Sequence, residues 1–128
     1  MRGISPRRGA FLLAAGRAAL GTVVLAAPEQ VTSRWLGEEN SKLPVVADLA
    51  RSLGVRDLAL GIATLKTLDD PAIGPLVQAA CAVADAVDAI ATVLARDALP
   101  RKGVYGTVAV AGAAAVAGFY FSHRLAHA

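Results

Sequence analysis

The chain has 128 residues, of which 55% are hydrophobic and 18% charged, with a formal net charge of +3 and a mean hydropathy of +0.53. That length holds one domain, and the apolar excess excludes a disordered tail or an ordinary charged surface. The positive charges are scattered and accompanied by only three Phe, two Tyr and one Trp, which excludes nucleic acid as a partner.

The single cysteine, Cys81, excludes an internal disulfide and a cysteine-based zinc site. His123 and His127 are spaced for a metal clamp but lie in the last six residues with no acidic neighbour, so they read as a solvated tail. No metal or cofactor is expected, because no phosphate loop, serine elbow or ligand cluster is present. Twenty-nine alanines, and ten arginines against three lysines, fit a GC-rich bacterial genome.

Four apolar segments follow in order, at about 9–27, 45–67, 72–95 and 103–121. A membrane-spanning helix needs about 20 mainly apolar residues, and all four are long enough. Ser5-Pro6-Arg7-Arg8 before the first segment is similar to a twin-arginine export signal, with Ala26 and Ala27 at the position of a cleavage site. Arg17 interrupts its apolar stretch and Pro28 follows, so the segment is read as the first membrane helix.

The longest break, Glu29 to Leu43, carries Trp35, either an interfacial anchor or part of a small loop cluster. Pro44 and Pro71 stand where first helical turns would start, with Asp69 and Asp70 as caps for the third helix. The expected fold is therefore all-α, one integral membrane domain over residues 1–128, a four-helix antiparallel transmembrane bundle. Five positive charges fall on each side: Arg2, Arg7, Arg8, Lys66 and Arg124 against Arg34, Lys42, Arg96, Arg101 and Lys102. The first span breaks the tie, which places both termini in the cytoplasm of a bacterial inner membrane.

Six charges lie inside the apolar segments: Arg17, Arg51, Arg56, Asp57, Asp85 and Asp88, a balance of zero. Unpaired in hydrocarbon they would cost on the order of 15 kcal/mol, so they must meet one another or water. Helical spacing puts Gly74, Gln78, Cys81, Asp85, Asp88 and Thr92 on one stripe of the third segment, leaving Leu76, Val83, Val87, Ile90 and Leu94 for lipid. Ala50, Gly54, Asp57, Gly61 and Thr64 form a matching stripe on the second, and Arg17 shares a face with Gly21 on the first.

Arg17 and Arg56 are thus expected to face Asp57, Asp85 and Asp88, each planar fork holding carboxylates. Asp85 and Asp88, one turn apart, would share a proton if no arginine reached them. Cys81, without a histidine nearby, reads as a packed thiol. The fourth segment has no charge and offers Ala111, Ala114, Ala115 and Gly118 as a structural wall.

Arg17-Ala-Ala-Leu-Gly21, the stretch Gly54-Val-Arg56-Asp57-Leu-Ala-Leu-Gly61, Asp85-Ala-Val-Asp88 and the Leu99-Pro100 break resemble a bacterial family of small four-helix membrane proteins of unknown function. The first helix is more distantly similar to DoxX-like membrane proteins, some of which are accessory subunits of redox systems. The resemblance implies a four-helix membrane fold and no established activity. The leading expectation is a non-enzymatic accessory or interaction module whose Arg–Asp network specifies the bundle. Its partners would be the lipid bilayer and either another membrane protein or a second copy of the chain. The alternative is a small proton-linked transporter or membrane enzyme with a polar pocket around Asp85 and Asp88. A cavity reaching Asp85 from either membrane face would favour that alternative, and dry packing around every charge the first.

Overall fold

The structure, a computed structural model, describes residues 3–128; Arg2, counted above among the N-terminal charges, lies outside them. The described residues form six α-helices and no strand: α1 (Pro6–Ala26), α2 (Pro28–Leu36), α3 (Glu38–Ser41), α4 (Pro44–Thr67), α5 (Gly74–Leu94) and α6 (Arg101–Ala126). Prolines stand in the first turn of α1, α2, α4 and α5, where the missing N–H has no partner to lose.

The helices α1, α5 and α6 are long and apolar enough to cross a membrane. Helix α4 has the length, but Asp48, Arg51, Arg56 and Asp57 crowd into the stretch from 48 to 57, so apolarity does not single it out as a span. The outer surface suits hydrocarbon. Leu76, Val83, Val87, Ile90 and Leu94 are all exposed, as their spacing predicts, and Val116 on α6 is 73% exposed. An apolar surface of that extent marks a membrane or a partner rather than water.

The helices pack as two close pairs, α1 with α4 and α5 with α6, and the pairs meet less extensively. Small residues permit the first pairing: a Cβ on Gly21 would lie 2.6 Å from the Gly54 carbonyl oxygen, and one on Gly61 2.8 Å from that of Ala14. Gly118 lies against Ala82 and the Gln78 side chain in the second pair. At one end of the molecule α1 reaches α6 where Gly9 sits under the Phe121 ring. At the other, Gly103 of α6 sits against the Trp35 carbonyl.

Three sequence expectations are corrected. The break from Glu29 to Leu43 is itself helical, forming α2 and α3 around Gly37, whose φ of 93° favours glycine. Within it the Trp35 Nε1–H donates to Thr92 Oγ1 at 3.2 Å, so the indole ties α2 to α5. Helix α5 starts at Gly74 rather than Pro71, because Asp70 Oδ1 accepts from the backbone N–H groups of Ala72 and Ile73, both at 2.9 Å, and holds those residues in a turn.

Asp69 does not cap α5 but accepts from Arg7 Nε at 2.6 Å. The Arg7 hydrogen bond holds the Asp69 carboxyl below its ordinary value. The pair's contribution is therefore present above the usual carboxylate range and lost as pH falls through the lowered value. Both side chains are well exposed, and such pairs contribute little. Asp69→Asn is expected to leave the thermal midpoint of the solubilised protein at pH 7 unchanged within error. A clear drop would make this pair a structural tie between α1 and the α4–α5 turn.

Candidate functional site

Helix geometry brings five of the six intrasegment charges together. Arg17, in the middle of α1, projects between α4 and α5. Its Nη1 donates to Asp57 Oδ1 at 3.0 Å and its Nη2 to Asp85 Oδ2 at 2.5 Å and the Cys81 carbonyl at 3.2 Å. Arg56 of α4 grips Asp88 with both terminal nitrogens, at 3.2 Å to Oδ1 and 2.7 Å to Oδ2. Its Nε and Nη2 also donate to Asp57 Oδ1, at 3.3 and 3.0 Å. Asp57 Oδ1 thus takes donors from both arginines and joins the two forks, so three helices are locked in one register.

The sixth charge does not join. Arg51 lies on the exposed face of α4, more than a turn from Arg56 towards the start of that helix. Without it the cluster holds two arginines and three aspartates, a formal charge of −1. Asp85 and Asp88 also sit on different guanidiniums rather than facing each other across a shared proton.

The ion pairs are partly rather than fully buried: the Arg17, Asp57 and Asp85 side chains keep 10%, 15% and 15% exposure. The remaining exposure has a cause. A cavity of about 950 Å³ lies beside the cluster, with Arg17, Arg56, Asp57, Asp85 and Asp88 on its wall. Leu12, Gly16, Leu20 and Val23 on α1 line it on one side, and Gly106, Thr107, Val110 and Ala114 on α6 on the other. Leu12, Leu20, Val23 and Val110 are at the same time exposed on the outer surface, so the cavity opens sideways between α1 and α6. Trp35, Arg34 and Lys102 stand at its α2 end.

The α5 stripe lies where its spacing puts it. Gly74, Gln78, Cys81 and Thr92 are buried, and Asp85 and Asp88 partly so. Cys81 is a packed thiol, its Sγ 3.3 Å from Thr64 Oγ1. Gln78 is 2% exposed and lines the cavity, yet its carboxamide makes no hydrogen bond to the described residues. The sequence placed Gln78 on the polar stripe without giving it a role. Thr107 and Trp35 gave no such signal, because α6 carries no polar periodicity and α2 lies in the segment taken as a break.

Chemically, the site offers an apolar chamber with one strongly polar wall, a shape and size suited to a lipophilic small molecule bearing a polar group. No family model, curated protein or solved structure matches the chain.

Proposed function

We propose that this is a multi-pass membrane protein that binds a small lipophilic molecule in the lateral cavity, with the Arg17–Asp57–Asp85 and Arg56–Asp88 cluster as its polar wall. In this reading α4 is a fourth span, tolerated in the bilayer because its Arg56 and Asp57 face partners on α1 and α5. A bacterial inner-membrane location and the resemblance to small four-helix membrane proteins belong to the same proposal. The carrying observation is the cavity that reaches Asp85 from between two helices. Dry packing around every charge would instead favour a purely structural network.

Such binding suits a small proton-linked transporter or membrane enzyme whose ligand enters from the side. A second reading, an accessory or interaction module, draws support from the glycine contacts of α1 with α4 and from the forks that fix helix register.

Two glycines provide the test. A Cβ at Gly16 or Gly106 meets nothing within 4 Å, and both residues line the cavity. Larger side chains there would fill the chamber without forcing backbones apart. The double variant Gly16→Leu, Gly106→Leu is expected to unfold at or above the parent's temperature. It should also lose saturable binding of the neutral probe 1-adamantylmethanol, measured by equilibrium dialysis of protein in phosphatidylcholine nanodiscs against empty discs. Absence of saturable binding to the parent, or equal binding to parent and filled variant, would leave the accessory-module reading standing.

A further inference from the structure

We propose that the molecule taken up by this cavity is a lipophilic monocation, an amine-bearing amphiphile whose ammonium group docks on the free carboxylate oxygens of Asp57 and Asp85. The inference rests on the ligand-pocket reading and adds the chemical class of the ligand.

Three observations carry it. First, the charge balance of zero read along the apolar segments fails in three dimensions. Arg51 is on the outer face, and the cluster keeps three carboxylates on two guanidiniums. An uncompensated charge beside an apolar chamber is costly and is relieved by a counter-charge.

Second, the acceptors are unevenly used. Asp57 Oδ1 takes three donors, whereas Asp57 Oδ2 and Asp85 Oδ1 take none from the described residues. A carboxylate has acceptor sites on both oxygens, and an ammonium brings up to three donors.

Third, Gln78 presents an unpartnered carboxamide to the same cavity while 2% exposed. It stands seven residues before Asp85 on α5, about 10 Å along the helix axis, so it meets a different part of the same molecule. Its carboxamide is not sealed off from that cavity, so an occupant can donate to it or accept from it.

Arg34 and Lys102 line the α2 end of the cavity and are exposed; neither forms an ion pair with the cluster among the described residues. They oppose access by a cation from that end, and the gap between α1 and α6 is the route the geometry leaves open. Leu20, Val23 and Val110 along that gap suit the apolar body of the ligand.

Three probes on one skeleton test the class: 1-adamantylmethylamine, a cation at neutral pH, neutral 1-adamantylmethanol, and anionic 1-adamantanecarboxylate. Each is measured by equilibrium dialysis against the parent in phosphatidylcholine nanodiscs, with empty discs subtracted. The amine is expected to bind more tightly than the other two by about tenfold or more. In Asp85→Asn the amine's advantage should vanish while the alcohol still binds, because the cluster then holds equal numbers of both charges. If that variant does not fold, Asp88→Asn removes the same charge, and the comparison on the parent is decisive by itself. Equal binding of amine and alcohol, or preference for the carboxylate, overturns the cationic ligand and leaves the pocket standing. Absence of saturable binding by all three overturns both.

Discussion

Arg17→Met is expected to destabilise the protein by about 2–4 kcal/mol, towards the lower part of the range for stranding a buried ionic partner. Among the described residues Arg17 is the only cation that reaches Asp57 and Asp85 together, and it also holds the Cys81 carbonyl. Its loss leaves Asp85 without its ion-pair partner beside an apolar chamber and unties α1 from α5. The measurement is a heat or detergent-unfolding midpoint of the purified protein, with Arg51→Met alongside. Arg51 is exposed and outside every ion pair of the described residues, so its variant should melt like the parent. Equal melting of both variants with the parent would mean that the forks contribute nothing to the fold. Lysine at position 17 should restore only part of the loss, since one ammonium cannot spread its donors over the same three acceptors in fork geometry.

The second large effect belongs to a pair of identical substitutions with opposite signs. Gly21→Ala places a methyl group 2.6 Å from the Gly54 oxygen and the Leu58 nitrogen. Both are backbone atoms of α4 that cannot swing aside, so the helices must separate, at a cost of about 1–3 kcal/mol or more. Gly16→Ala, one and a half turns earlier on the same helix, meets nothing within 4 Å and should gain about 0.5–1 kcal/mol from the restrained backbone. Unfolding midpoints of the two variants in the same detergent decide the matter. A neutral Gly21→Ala would show that α1 and α4 do not pack as closely as their backbones are placed here.

The long helices were legible because membrane helices announce themselves by length, and their inward faces because charge inside an apolar run has few places to go. The α5 stripe from Gly74 to Thr92 followed from the helical repeat alone, and so did the exposed Leu76–Leu94 face. The forks of Arg17 and Arg56 were foreseeable for the same reason: three carboxylates and two guanidiniums on three small-residue faces have one economical arrangement.

What escaped the sequence was set by tertiary context. The first connection looked like a loop because its polar residues mask two short helices, whose anchor, the Trp35 hydrogen bond to Thr92, is formed with a residue 57 positions away. The beginning of α5 moved because the Asp70 side chain satisfied backbone donors that a helix would have used. The cavity had no signature, since an opening between α1 and α6 depends on how the two helix pairs diverge rather than on any residue pattern.

The pairing of α4 has a consequence for biosynthesis. Arg56 finds its bidentate partner 32 residues downstream, on a helix that leaves the ribosome after α4. Asp57 finds Arg17 40 residues upstream, on one already made. A nascent chain ending before α5 would thus carry Arg56 with the neighbouring Asp57 alone and without its second carboxylate. The Arg56 fork is therefore completed only once Asp88 has emerged, so the settled geometry of α4 waits on the helix made after it.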